Sequence, residues 1–370
     1  MSLLSEYANF SNGKKKPSSE GAFPVYGGNG VLGYADDFNM ENGIIIGRVG
    51  VYCGSVYLEE GKCWVSDNAI KAENTEKSDL GFLYYLLRGL RLNEHQIGTS
   101  QPLLTQGILN SIEVEVPDII TQRKIAKVLS AIDKKIVLNK EISENLEQQA
   151  CLLYRSMFET FERIDTVDRY DSDLGPIPEG WTVCTLGDVT ENIRTKVKEN
   201  SYRVLSAVNT GVLQPSDEYF SKQVFSKSIS NYIVVEEDDF AYNPARVNIG
   251  SIGINDLGYT GCVSPVYVVF RTEPNYQKFM RFFIRTQRFK EEVKLRASGS
   301  VRQSMNYSDF AMISIAYPPK HIVEEFNSIY APIYSTQKHI EKENQKLTEI
   351  RDVLLPRLLS GQVDVSDICV

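Results

Sequence analysis

GTSQPLLTQGILNSIEVEVP (residues 98–117) and GSVRQSMNYSDFAMISIAYP (residues 299–318) are both 20 residues long and lie 201 positions apart. Each opens on small loop residues and closes on a hydrophobic run and a proline. Upstream, Arg48-Val49 matches Arg246-Val247 and Val65-Ser66 matches Val263-Ser264, both at an offset of 198. Further upstream, Leu4-Ser5-Glu6 resembles Leu186-Gly187-Asp188 at 182. Loop insertions make an offset drift in this way. Several blocks in one order mark an internal duplication, which sets the fold before any local detail does.

Beyond each closing proline the pattern becomes helical. Residues 119–161 contain no Pro or Gly, and apolar side chains recur at Ile125, Val128, Leu129, Ile132, Ile136, Ile142, Leu146, Leu153 and Met157. After Pro318 the series is Val323, Phe326, Ile329, Ile333, Ile340, Leu347, Ile350 and Leu354. Spacings of three and four describe a narrow seam. A helix of about 40 residues is about 60 Å long, which suggests a coiled coil. Two such helices in one chain are expected to pair antiparallel, with polar Asn139 and Thr336 near the seam.

The segments before each helix mix turns and short strands. Asn42-Gly43 and Gly27–Gly30 read as tight turns. Residues 43–47, 111–116, 232–235 and 266–270 read as strands, and one helix is expected in each copy, near 79–92 and 275–295. The expected class is α+β: two similar, mostly-β globular domains separated by two long helices forming an antiparallel coiled coil. The expected boundaries are 1–117 (first domain), 118–162 (first spacer helix), 163–180 (linker), 181–318 (second domain) and 319–370 (second spacer helix and tail). Trp181 is expected to anchor the first strand of the second domain.

Composition bounds the function. The 370 residues are 42% apolar and carry 40 Lys plus Arg against 48 Asp plus Glu, a net charge of −8. No run of about 18 apolar residues occurs, so no membrane span is expected. Residues 1–16 lack an apolar signal core, which points to a cytoplasmic protein. Six cysteines without a CxxC pair read as reduced thiols. Three histidines make a His-rich metal site or a His-driven triad improbable. Gly28-Asn29-Gly30-Val31-Leu32-Gly33 fits GxGxxG, but Tyr34-Ala35-Asp36-Asp37 does not start an amphipathic helix, so the stretch reads as a glycine-rich β-turn and not a dinucleotide site. Asn243-Pro244-Ala245-Arg246 lacks the aromatic residue that would stack a flipped base. No P-loop, HExxH or GxSxG occurs. The chain reads as a binder, not an enzyme, with no cofactor or metal of its own.

These residues carry a family resemblance. The chain is similar to the specificity subunits of type I restriction–modification systems. The similarity lies in Phe23-Pro24-Val25-Tyr26-Gly27-Gly28-Asn29-Gly30-Val31-Leu32-Gly33-Tyr34, Ile46-Gly47-Arg48-Val49-Gly50, Gly54-Ser55-Val56 and Trp64-Val65-Ser66-Asp67-Asn68-Ala69. It continues in Val116-Pro117, in Gln122-Arg123-Lys124-Ile125-Ala126-Lys127-Val128-Leu129 with Asp133, in Ile177-Pro178-Glu179-Gly180-Trp181, and in residues 351–361. The first domain lacks a Pro-x-Gly-Trp start, and Thr121-Gln122 stands where the family often has Glu-Gln. The resemblance implies that each recognition domain reads one half of a split, asymmetric sequence in double-stranded DNA. It implies that the helices set the unread spacer and dock two modification subunits, which bring S-adenosylmethionine and methylate adenine N6. Restriction subunits, where present, would use ATP with Mg²⁺.

Candidate DNA-binding residues follow from chemistry. Lys14, Lys15 and Lys16 form a basic run for phosphates, and Lys196 and Lys198 occupy the corresponding place in copy two. Arg48 and Arg246 align beside turns, where arginine can take guanine bidentately. Gln101, Arg302 and Gln303 lie in the aligned small-residue loops, and Asn68 in another loop. Arg281, Arg285 and Arg288 lead a run to residue 302 with a local charge of +5, and their spacing puts them on one helix face. Two other classes stay open on the sequence: a scaffold whose β domains bind proteins, and an enzyme with an unfamiliar site.

Overall fold

The structure is a computed structural model and describes residues 1–98, 102–164, 168–219, 226, 228–296 and 304–368. The chain forms two compact units, one of residues 1–143 with 338–370 and the other of residues 144–337. The class is α+β.

In the first unit a six-stranded sheet runs in the order Ala8–Asn12, Ala69–Asn74, Met40–Gly47, Val56–Val65, Phe23–Gly27, Gly30–Ala35. All neighbours are antiparallel except the parallel pair Phe23–Gly27 and Val56–Val65. In the second unit a four-stranded antiparallel sheet runs Thr190–Ile193, Val268–Thr272, Phe240–Tyr242, Ile252–Ile254. The first four strands of one sheet and the four of the other have the same order and sense. A small ladder flanks each: Ser2–Leu3 with Glu113–Val114, and Thr182–Thr185 with Ser314–Tyr317. The long helices are Ile119–Phe158 and Lys320–Leu359, both of 40 residues and again offset by 201. The duplication is therefore visible in topology as well as in sequence.

The helices pack antiparallel. In the first unit Arg351 Nη1 donates to Asp133 Oδ1 at 2.9 Å, and Lys135 pairs with Glu343 at 3.4 Å. In the second, Gln337 Nε2 donates to Glu147 Oε2 at 3.1 Å, and the rings of Tyr154 and Phe326 meet edge-on at 6.0 Å. Asn139 is buried in the seam, where its amide donates to Glu343 Oε2 at 2.6 Å and to Asn344 Oδ1 at 2.8 Å. The expected apolar seam is thinner than its spacing implied. Ile142, Ile329 and Ile350 are exposed, and so is Thr336, whose hydroxyl bonds back to Pro332 O at 2.8 Å.

Both long helices complete the cores. Ile125, Ala126, Leu129 and Leu358 are buried with Leu83, Leu87 and Ile44 in the first unit. Leu153, Tyr154, Phe158, Val323, Phe326 and Tyr330 are buried with Phe279 and Phe282 in the second. Trp181 is buried there against Phe158 and Phe161, one residue before the strand Thr182–Thr185, as the sequence suggested.

Three local readings change. Asn42-Gly43 is a bulge inside the strand Met40–Gly47, with Asn42 at φ 52°, where the register shifts between Glu41 and Gly43. The run 111–116 keeps only Glu113–Val114 as strand. The single helix expected at 275–295 is two, Gln277–Phe283 and Gln287–Arg296, because Thr286 Oγ1 accepts the Phe289 N–H at 3.2 Å and starts the second. The linker region also holds a hairpin of Arg169–Ser172 and Gly175–Pro178.

One buried amide secures the start of the first long helix. Gln122 accepts the Asp79 N–H at 2.8 Å, and its Nε2 donates to Lys77 O at 3.0 Å and Pro117 O at 2.9 Å. Gln122→Ala leaves these backbone groups unpaired, at about 1–3 kcal/mol for each group that stays buried and dry. The expected result is a lower urea midpoint for the variant. An unchanged midpoint would show that water takes over these contacts.

Candidate nucleic-acid interface

In copy one, four chain segments meet at one end of the sheet. The backbone of Lys14 bridges to Ser66: its N–H donates to Val65 O at 3.0 Å and its carbonyl accepts Trp64 Nε1–H at 3.1 Å. Lys14, Lys15 and Lys16 are all exposed. The turn Ser66–Ala69 closes through Ala69 N–H to Ser66 O at 3.0 Å and presents exposed Asn68, whose carbonyl accepts the Arg48 N–H at 3.0 Å. Arg48 in turn accepts the Leu104 N–H at 2.9 Å, and its half-buried side chain keeps a buried Nε without a hydrogen-bond partner.

Glycine permits this convergence. A Cβ on Gly47 would lie 2.2 Å from Tyr52 O, and one on Gly28, at the hairpin tip, 3.6 Å from Gly47 Cα. The 3₁₀ turn Gly50–Tyr52 therefore sits directly beside the tip, with Val51 and Tyr52 exposed. The GxGxxG stretch supplies the hairpin turn at Gly28-Asn29 and then runs into the strand Gly30–Ala35, so the β-turn expected from the sequence is its first part.

Copy two repeats part of the arrangement, the 3₁₀ turn after the aligned arginine and the turn of Ser264–Tyr267, while Arg246 N–H donates to Asn243 O at 3.0 Å and Lys196 bridges to Ile233. Arg246 is exposed and precedes the 3₁₀ turn Val247–Ile249. Met305, which corresponds to Leu104 at the offset of 201, donates to Pro244 O at 3.1 Å. Tyr267 N–H donates to Ser264 O at 2.9 Å and so rebuilds the turn of Ser66–Ala69, but Val266 stands in the place of Asn68 and is exposed. Lys196 and Lys198 are exposed; the first reaches Asn231 Oδ1 at 3.3 Å and the second takes φ 55°.

The arginine run is organised differently from its sequence reading. Arg281 and Arg288 lie on two separate helices with Arg285 between them, so they do not share one helix face. Arg281 Nη1 pairs with Asp256 at 2.6 Å, the two side chains being 13% and 7% exposed. Arg285 pairs with Glu147, and Arg288 Nη2 donates to Ser314 O at 3.1 Å. Arg296 pairs with Glu292 at 3.0 Å, while Lys290 and Lys294 remain exposed. Gln101, Arg302 and Gln303 lie outside the described residues.

The residues that the sequence reading missed are the exposed members of the two 3₁₀ turns, Val51, Tyr52, Asn248 and Ile249. Their signal was positional: they follow the aligned Arg48-Val49 and Arg246-Val247. Titration marks structural groups instead. Burial opposes ionisation of Glu147, yet the hydrogen bonds from Gln337 and Arg285 hold its carboxyl below the usual 4.5. Burial pushes the Cys63 thiol up to about 12 and the Cys262 thiol up to about 11, so both stay protonated at neutral pH. Among the described residues no group of three or more His, Cys, Asp or Glu could hold a metal ion, and no helix is long and apolar enough to cross a membrane.

Two outcomes follow from these contacts. Arg281→Met removes the guanidinium paired with the buried Asp256 carboxylate and is expected to lower stability by up to about 3–5 kcal/mol, read as a lowered urea midpoint. Glu147 has a lowered pKa in the fold, so its contribution is complete above the unfolded value and fades as pH falls through the folded one. Glu147→Gln should therefore flatten the loss of stability below pH 4.5, measured by melting across that range.

Residues 4–148 match the family described as type I restriction modification DNA specificity domain. The chain is 26% identical over 314 residues to the type I restriction enzyme MjaIX specificity subunit of Methanocaldococcus jannaschii, covering 78% of this chain and 70% of that protein. It is 23% identical over 333 residues to the HindI specificity subunit of Haemophilus influenzae, covering 71% of each. Its fold is shared with the crystal structure of the type I restriction-modification system S subunit from M. genitalium, with a TM-score of 0.63 at 16% identity over 96% of this chain and 94% of that one. Residues 4–148 thus match a type I restriction modification DNA specificity domain, and the chain as a whole is similar in sequence and fold to type I specificity subunits.

Proposed function

We propose that this chain reads a bipartite, asymmetric site in double-stranded DNA, one half with the domain of residues 1–117 and the other with that of 181–318. The observation that carries this reading is the pair of turns built twice on one strand order with different exposed residues: Asn68 against Val266, and Val51 and Tyr52 against the turn Val247–Ile249. One scaffold with different side chains suits two half-sites of different sequence. Arg48, Arg246 and Asn68 are the proposed base readers. Lys14, Lys15, Lys16, Lys196 and Lys198 position the duplex through its phosphates.

The long helices would fix the separation of the two readers, matched to duplex DNA whose helical turn is about 34–36 Å. They would dock two modification subunits, which supply S-adenosylmethionine and the adenine methylation, and restriction subunits where the system has them. A net charge of −8 fits a chain that binds DNA weakly alone and gains much of its phosphate contact from those partners. Such a complex works where its DNA is, in the cytoplasm.

Exchanging residues 1–117 for the corresponding domain of another specificity subunit should change one half of the methylated sequence and leave the other. Long-read mapping of N6-methyladenine reads this directly, and an unchanged site would sink the proposal. Arg48→Ala and Arg246→Ala should each relax discrimination by about 1–3 kcal/mol in its own half-site alone. The check is binding of the assembled complex to duplexes altered in one half at a time.

A further inference from the structure

The second copy contains a cleft of about 860 Å³ between the 3₁₀ turn Val247–Ile249, the turn at Asn209–Gly211 and the helix Gln287–Arg296. Among the described residues, copy one is tightly packed beside its own 3₁₀ turn. There the chain leaving the 3₁₀ turn lies against the backbone of Leu92 and Asn93, so closely that a Cβ on Gly54 would come within 2.4 Å of the Asn93 nitrogen. The duplication thus supplies its own comparison: one copy packs backbone on backbone, and the other opens a space of ligand size.

The lining has a defined chemistry. Val212, Ile284 and Phe289 form an apolar wall, and Asn209, Thr210 and Asn248 add polar groups. Three cations line the space, and two of them are committed: Arg281 to Asp256 and Arg285 to Glu147. The third, Lys290, is exposed, and its side chain has no hydrogen-bond or ion-pair partner among the described residues. The site thus keeps one positive charge beyond its carboxylates, beside amide and hydroxyl groups. A compact anion with several acceptor oxygens satisfies that set, and phosphate is such an anion. Arg246 immediately precedes the turn that forms the rim.

We propose that this cleft is a phosphate-binding site present in copy two and absent from copy one, with Lys290 as its charge partner. Resting on the function proposed above, the phosphate belongs to the DNA backbone next to the half-site that copy two reads; a free phosphorylated ligand presents the same group. The two half-sites would then be held unequally, with one more backbone contact on the side of copy two.

Two arms test this, both on the full chain assembled with its modification subunits. In the first, duplex binding is measured against salt. Lys290→Gln should lower the slope of log K against log salt by about 0.9, weaken cognate and random duplex alike, and recover in Lys290→Arg. In the second, millimolar inorganic phosphate or pyrophosphate should raise the melting temperature without DNA, and Lys290→Gln should abolish the rise. A changed slope assigns the phosphate to DNA, and a lost thermal shift with an unchanged slope assigns it to a free ligand. Lys290→Gln matching the parent in both arms overturns the site. If the parent complex binds no DNA, the function proposed above fails, while the phosphate arm still decides the cleft.

Discussion

Leu129 and Leu358 are buried in one core, and Tyr154 and Phe326 in the other; in each unit both long helices contribute. Neither core is complete without them. A fully buried leucine or phenylalanine contributes about 1.5–3 kcal/mol relative to exposure. Each unit therefore depends on two helix segments that are distant in sequence, and each helix serves both units. The boundary between the units crosses the helices at Ser143/Glu144 and Gln337/Lys338. The sheets, the loop clusters and the proposed DNA-reading ends all hang on this shared packing.

Near that boundary the seam turns polar. Asn139 meets Glu343 and Asn344 on one side, and Glu147 meets Gln337 and Arg285 on the other. A continuous apolar stripe would tolerate sliding by one turn, since leucine-like contacts are interchangeable. A buried amide with two fixed partners is not, and this is the device by which paired helices hold register at some cost in stability. Such a seam fixes which residues of one helix face which residues of the other.

Much of this was legible in the sequence, because duplication is a long-range signal. The offset of 201 aligned Leu104 with Met305 and one helix start, Ile119, with the other, Lys320. Asn139, the buried seam positions such as Ile125, Leu129, Leu153 and Phe326, and Trp181 were legible from period and position, whereas Ile142, Ile329, Ile350 and Thr336 fit the period and yet lie exposed. Side-chain direction was not. Arg281, Arg285 and Arg288 read as a basic stripe, but Thr286 ends that reading by starting a new helix, and Asp256, Glu147 and the Ser314 carbonyl take the guanidinium groups. Those partners lie 25 to 138 residues away along the chain. Asn42-Gly43 misled for a local reason: a left-handed residue serves a bulge as well as a turn. The exposed turn residues beside Arg48 and Arg246 carry no compositional mark, so only the fold shows them grouped with the arginines.

The three hydrogen bonds of Gln122 have a consequence for inheritance. All are made to main-chain atoms, those of Lys77, Asp79 and Pro117, and none to a side chain. The joint between recognition domain and helix thus recognises the shape of a loop and is indifferent to its residue types. A gene that recombined at this point would deliver a foreign domain to a socket that accepts it, provided the loop keeps its course. The joint can stay constant while the reading surface is replaced whole, so new specificity can arise in one crossover instead of through many separate substitutions.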